Sequence, residues 1–241
     1  MSGPQNNIVT LYGEMPDVPK TVKIGDFVVA RYKSSEWARY LPWEAFDHAA
    51  LVTQLNPLKI IEVSGILLQK GDKKNNKVEV REGVVEYEFN KSRTVTLLDG
   101  TKNLNANLWI LDELLEVRWL KPNFPNPIRE IDKWYIPRSK RKIITEQEAR
   151  KRAVKYARNQ MGEPYSIFAS KWSENKWYCS LLIYKSYSRT VTGMYLETYG
   201  RSFDLHAGPL VTPEDLADSP QSKVYAIWKK ENQGIKNIKS E

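Results

Sequence analysis

Apolar positions in this chain come in short runs closed by turn residues, a pattern of strands more than of long helices. The turn Lys23-Ile24-Gly25-Asp26 opens into Phe27-Val28-Val29-Ala30-Arg31-Tyr32, which reads as a buried strand. His48-Ala49-Ala50-Leu51-Val52 reads as a second strand, Asn56-Pro57 as a turn, and Lys59 to Ser64 as the returning strand. Val78 to Phe89, Thr94 to Leu98, Leu114 to Leu120 and Lys223 to Lys229 are further strands. Ser34 to Asp47 is rich in aromatic residues and suits a loop or short helix, and Gly71 to Lys77 is a polar turn. A helix is predicted from Glu146 to Met161. Thr145 and Glu148 form its capping box, Ala149, Ala153, Ala157 and Met161 its apolar face, and Gly162 its stop. Arg150, Lys151, Arg152, Lys155 and Arg158 fall on the other face. A second helix begins at Cys179 and runs through Tyr187. Thr212-Pro213-Glu214-Asp215 marks a short third one. Strands outnumber helices and the helices cluster late, so the fold class is α+β, with an antiparallel sheet packed against helices.

Nothing in the chain resembles a Gly/Ser linker or a repeat, so one domain is expected over residues 21–230. An irregular arm precedes it at 1–20, and a frayed Lys-rich tail follows at 231–241. No apolar run is long enough to span a membrane. The first twenty residues hold no apolar segment of the kind a secretory signal needs. That points to the cytoplasm unless an export signal has been trimmed from the chain. A single cysteine excludes an internal disulfide framework. A Cys/His zinc site would need that cysteine, both histidines and a carboxylate, and no ligand spacing supports one. The net charge of +8 is concentrated between Arg129 and Arg158, where eleven Lys/Arg face four Asp/Glu. Such a block could recognise a polyanion or reduce to a solvated basic face. It lacks interleaved base-stacking aromatics, which disfavours nucleic acid as a partner.

The remaining signal is chemical. Cys179 follows Trp177-Tyr178 at a helix start, where the dipole and an adjacent imidazolium favour thiolate. A buried structural thiol is the alternative. His48 is the candidate base. With the turn near Thr53 to Leu58, it lies across the hairpin from Glu62 or Ser64, which share one face. A carboxylate there would orient the ring and leave its other nitrogen for the sulfur. His206, in Phe203-Asp204-Leu205-His206-Ala207-Gly208, is the competing base.

These residues fall in ordered motifs that resemble the YaeF/YiiX-like permuted papain-like amidases, relatives of the NlpC-type cysteine peptidases by circular permutation. The motifs are Gly25-Asp26 before an apolar strand, Asp47-His48-Ala49-Ala50-Leu51-Val52, and Ile60-Ile61-Glu62-Val63. Gly162-Glu163-Pro164-Tyr165, Trp177-Tyr178-Cys179-Ser180 and Val211-Thr212-Pro213-Glu214-Asp215-Leu216 follow in order. The resemblance runs from Gly25 to about Val224 and implies a permuted papain-like or NlpC-like fold, the sheet open or a partial barrel. It implies a triad of Cys179, His48 and Glu62, with Tyr165 near the oxyanion or on the site wall. The implied activity is thiol hydrolysis of an amide or peptide bond, with cell-wall-derived peptides among the substrates and no metal or organic cofactor, and the basic helix nearby favours acidic substrates. An acyltransferase or thioesterase on the same fold, and a non-catalytic polyanion-binding module, are the rival readings. Leu181 departs from the acidic or amide residue common after the Cys-Ser pair. Residues 66–107 match poorly and are a candidate insertion.

Overall fold

The computed structural model describes residues 16–32, 46–69, 77–91, 93–96, 103–106, 109, 114–131, 135–196, 210–230 and 234–237. Its strands are β1 Phe27–Tyr32, β2 His48–Leu55, β3 Leu58–Gln69, β4 Lys77–Glu88, β5 Arg93–Thr96, β6 Asn103–Ala106, β7 Leu114–Pro122, β8 Ser222–Lys229 and β9 Gly234–Asn237. The α-helices are α1 Glu146–Arg158, α2 Cys179–Ser188 and α3 Pro213–Asp218. Seven strands form one sheet in the order β4-β3-β2-β1-β7-β8-β9, and β5 pairs with β6 in a separate ribbon. Every pairing between these described strands is antiparallel, so the α+β expectation holds.

Strand β1 reads as continuously apolar because both faces of the sheet are covered. Phe27, Val29, Ala49, Leu51, Ile61 and Val63 face a core shared with Ala149, Ala153 and Ala157 of α1 and Leu181 to Ile183 of α2. The alternate positions Val28, Ala30, Ala50, Val52 and Ile60 pack with Trp109, Val117, Trp119 and Trp228 in a second core. Helix α2 is buried at every position from Cys179 to Tyr187, and it packs against β2 and β3.

Several elements depart from the sequence expectations. Helix α1 is capped by Thr145, which accepts from the Glu148 N–H at 3.1 Å, but it ends at Arg158 and not at Met161. Beyond it, the Gly162 N–H donates to Val84 O at 3.0 Å and the Val84 N–H to Glu163 O at 2.9 Å. The chain must leave helical geometry to make those bonds, and Gly162 takes φ +85° to do so. Met161 is therefore 53% exposed and does not extend the apolar face. Arg150, expected on the solvated face, is buried. Its guanidinium donates to Asp26 Oδ1 at 2.6 Å and Glu146 Oε1 at 2.7 Å. Asp26 also accepts from the Tyr225 hydroxyl at 2.9 Å, so one buried pair ties β1, α1 and β8 together. Gly25 beside it sits at φ +83°, where an added Cβ would lie 2.8 Å from Arg150 Cβ.

Much of the basic block is likewise used internally. Arg129 donates to Arg141 O, Arg141 to Ile136 O and Thr192, Arg152 pairs with Glu130, and Arg158 with Glu86. Within the run after Glu231, expected to be frayed, Gly234–Asn237 pairs with β8 as an edge strand. Part of residues 66–107 extends the β3–β4 ribbon, and part forms the β5–β6 ribbon. No helix among the described residues is long and apolar enough to cross a membrane.

Candidate active site

His48 is the first residue of β2 and pairs with Ala30 of β1. The β2–β3 turn is tighter than expected, with Leu55 opposite Leu58 around Asn56-Pro57. The register runs Leu51 to Ile61 and Val52 to Ile60, with an irregularity between Val52 and Gln54. Extended by two-residue steps, that register puts Glu62 diagonal to His48 on the same face. The contact follows: His48 Nε2 lies 2.8 Å from Glu62 Oε2, with His48 7% exposed and Glu62 fully buried. The side chain of Ser64 and all of His206 lie outside the described residues.

Two further side chains bond to the carboxylate. The Tyr87 hydroxyl donates to Glu62 Oε1 at 2.8 Å, and the Trp109 indole N–H donates to Oε2 at 3.0 Å. The Trp109 ring also stands 5.4 Å from the His48 ring, and Phe89 backs it at 5.5 Å. Neither residue was singled out from sequence. Tyr87 could have been reached from the β3–β4 register, since Val85 is opposite Glu62 and Tyr87 lies two positions on, on the same face. Trp109 offers no such signal, because its approach depends on a connection 47 residues from Glu62.

Cys179 is the first residue of α2 and is 5% exposed. Its N-cap, Tyr178, is extended and makes no side-chain capping bond to the first turn. The first-turn N–H groups of a helix have no intrahelical partner. Two bonds fix this helix start. The Tyr178 hydroxyl accepts from the Val211 N–H at 2.8 Å, and the Ser180 hydroxyl donates to Val211 O at 2.7 Å. Val211 is held by α3, where Thr212 and Asp215 form a reciprocal capping box. Approaching from the other side, Tyr165 bridges Trp177, and the Ser166 N–H donates to Trp177 O at 2.8 Å. Tyr165 is half-buried and packs against the helix-side core, and its bridge partner Trp177 is two residues before Cys179.

The thiol and the imidazole are neighbours. Burial works against charge on His48, but the Glu62 carboxylate, with the Cys179 side chain adding to its effect, outweighs it and raises the imidazole to about 10. That shift favours the imidazolium at neutral pH. Tyr32 closes the same neighbourhood. Burial pushes its phenol well above its ordinary range, and the nearby side chains of Glu62, Asp47 and Cys179 add to the rise. Asp47 accepts from the Tyr32 N–H at 3.1 Å, and burial raises its carboxyl to about 7. The structure thus joins His48 to Glu62 by a hydrogen bond, keeps Cys179 close enough to influence the imidazole, and bridges Tyr165 to Trp177 on the segment leading to Cys179.

A family model described as permuted papain-like amidase enzyme, YaeF/YiiX, C92 family, matches residues 21–225. The chain belongs to the permuted papain-like amidases. This is a family of cysteine peptidases and amidases, so at family level the chain is a cysteine hydrolase and peptides are the implied substrates. No curated protein and no solved structure gives a significant match. In this family member, the strand that carries His48 precedes the helix that starts with Cys179.

Proposed function

We propose that this family member cleaves an amide or peptide bond by thiol acyl transfer, with Cys179 as nucleophile, His48 as acid and base, and Glu62 as orienter. The observation that carries this reading is the imidazole of His48, hydrogen-bonded to buried Glu62 and electrostatically coupled to the side chain of Cys179 at the start of α2. Glu62 accepts from Nε2–H, which leaves Nδ1 for the thiol. An imidazolium next to a sulfur at a helix start favours the thiolate, a competent acyl nucleophile.

The sulfur attacks the scissile carbonyl, and a C–S bond forms as the carbonyl π electrons move to oxygen. The backbone N–H of Cys179, in the first turn of α2, is assigned as a donor to that oxyanion, and Tyr165 is assigned to the wall beside it. His48 then gives its proton to the leaving nitrogen, the C–N bond breaks, and an acyl thioester remains. Now neutral, His48 takes a proton from water as its oxygen attacks the thioester. The C–S bond breaks, the acid product leaves, and the imidazolium–thiolate pair is restored. Glu62 stays ionised and fixes the tautomer, held by Tyr87 and Trp109. The order of base strand before nucleophile helix agrees with a circularly permuted papain-like arrangement.

Iodoacetamide alkylation of Cys179 between pH 4 and 10, in wild type and His48→Ala, tests the pair. A rate that stays high well below pH 8 and falls in His48→Ala is expected. An inert thiol, or one indifferent to His48, would end the enzyme reading. An acyltransferase would share every step up to the thioester, and product analysis with a generic thioester and added amine separates the two.

A further inference from the structure

A cavity of about 1150 Å³ lies in the described residues and includes none of Cys179, His48, Glu62 or Tyr165 in its lining. Asp26, just before β1, is on its wall, whereas His48 pairs with Ala30 four positions further along. At the strand rise, that separates the two places by roughly 13 Å along β1. The cavity is larger than the ~300–1,000 Å³ usual for a small-molecule site. Pro122, Phe124 and Tyr225 give it a partly apolar wall.

Four lysines line this cavity: Lys20 and Lys23 before β1, Lys121 near the end of β7, and Lys223 near the start of β8. All four are exposed, and none makes an ion pair with another described residue. Lys121 and Lys223 are direct register partners. Like charges directly opposite on antiparallel strands destabilise the pair. The inner carboxylates do not relieve it, because Arg150 engages both Asp26 and Glu146. Asp17 is the remaining acidic residue of the lining, against four ammonium groups.

We propose that this cavity binds a compact multivalent phosphate, of the oligophosphate class. Planar carboxylates are best matched by guanidinium forks, and the one guanidinium here is committed to Asp26 and Glu146. The remaining cations are ammonium point charges, which suit tetrahedral oxyanions of high charge density. The basic block between Arg129 and Arg158 contributes only Glu146 and Arg150 to the lining, so the site is not that block's solvated face. It stands independently of the thiol chemistry.

The test is calorimetric titration of the full chain with inorganic tripolyphosphate at low and moderate salt. It uses wild type, Lys121→Gln/Lys223→Gln, and Lys151→Gln/Lys155→Gln, two exposed lysines of α1 outside the cavity. Salt-sensitive binding is expected, weakened about tenfold by the cavity pair and unchanged by the control pair. A parallel arm with adenosine triphosphate identifies the source. Equal affinity points to the phosphate chain alone, and tighter binding points to a phosphate carried on an organic group. No binding at low salt, an equal loss in the control pair, or citrate binding as tightly as tripolyphosphate would each overturn the proposal. Without ligand, the cavity pair variant should melt no lower than wild type, since it removes a repulsion. A clear drop would overturn the like-charge argument.

Discussion

Replacing Glu62 with Gln isolates the charge that sets the state of His48. The amide can keep the local bonds: its oxygen can accept from His48 and Trp109, while its NH2 faces the Tyr87 oxygen. Two unit charges about 4 Å apart at an effective dielectric near 20 attract by about 4 kcal/mol. At 1.36 kcal/mol per pKa unit that is about three units. The rise from 6.5 to about 10 is of that size, with Cys179 sharing in it. Glu62→Gln should therefore lower the His48 pKa by about two to three units. The chain has two histidines, and a His48→Ala spectrum assigns the resonances for an NMR titration. Stability gives a second readout. The folded pKa is raised, so its contribution is complete below pH 6.5 and lost as pH rises towards 10. Between those limits, the slope from this group is about −1.4 kcal/mol per pH unit, and denaturant unfolding at several pH values measures it. Glu62→Gln should flatten the slope. A His48 titration within half a unit of wild type, or an unchanged slope, would refute the reasoning.

Trp109→Phe keeps an aromatic ring beside His48 but removes the N–H donated to Glu62. It should cost about 1–3 kcal/mol in unfolding free energy and lower kcat more than it raises KM. Tyr178→Phe removes the hydroxyl that accepts from the buried Val211 N–H. A loss of about 1–3 kcal/mol is expected, together with slower Cys179 alkylation as the helix start loosens, and unfolding and mass spectrometry read the two effects. Burial raises Asp47 from 3.8 to about 7, so its favourable share of stability is present below pH 3.8 and lost as pH rises through 7. Asp47→Asn should therefore stabilise the protein more at pH 8 than at pH 4. An equal effect at both would show that the carboxyl titrates normally.

The residue pattern by itself determined most strands, the capped starts of α1 and α3, and the start of α2 at Cys179. Each is a local property: alternation or apolar continuity, a side chain three residues from its N–H, a proline at the first turn. It also narrowed the partner of His48 to two residues of one strand face, because hairpin register is short-range. Periodicity records which way a side chain points, and not what lies opposite it. The tertiary structure therefore decided that Glu62 is gripped by Tyr87 and Trp109, 25 and 47 residues away. It likewise turned Arg150 from an apparently solvated cation into the buried partner of Asp26, 124 residues distant. It ended α1 before Met161 because Gly162 and Glu163 bond to Val84 of β4. Pairing also made Gly234–Asn237 an edge strand, since backbone groups of an exposed sheet edge accept any segment that reaches them. The candidate site residues were legible because their chemistry is rare and local. Their surroundings were not, because distant strands and loops supply them only once the sheet has formed.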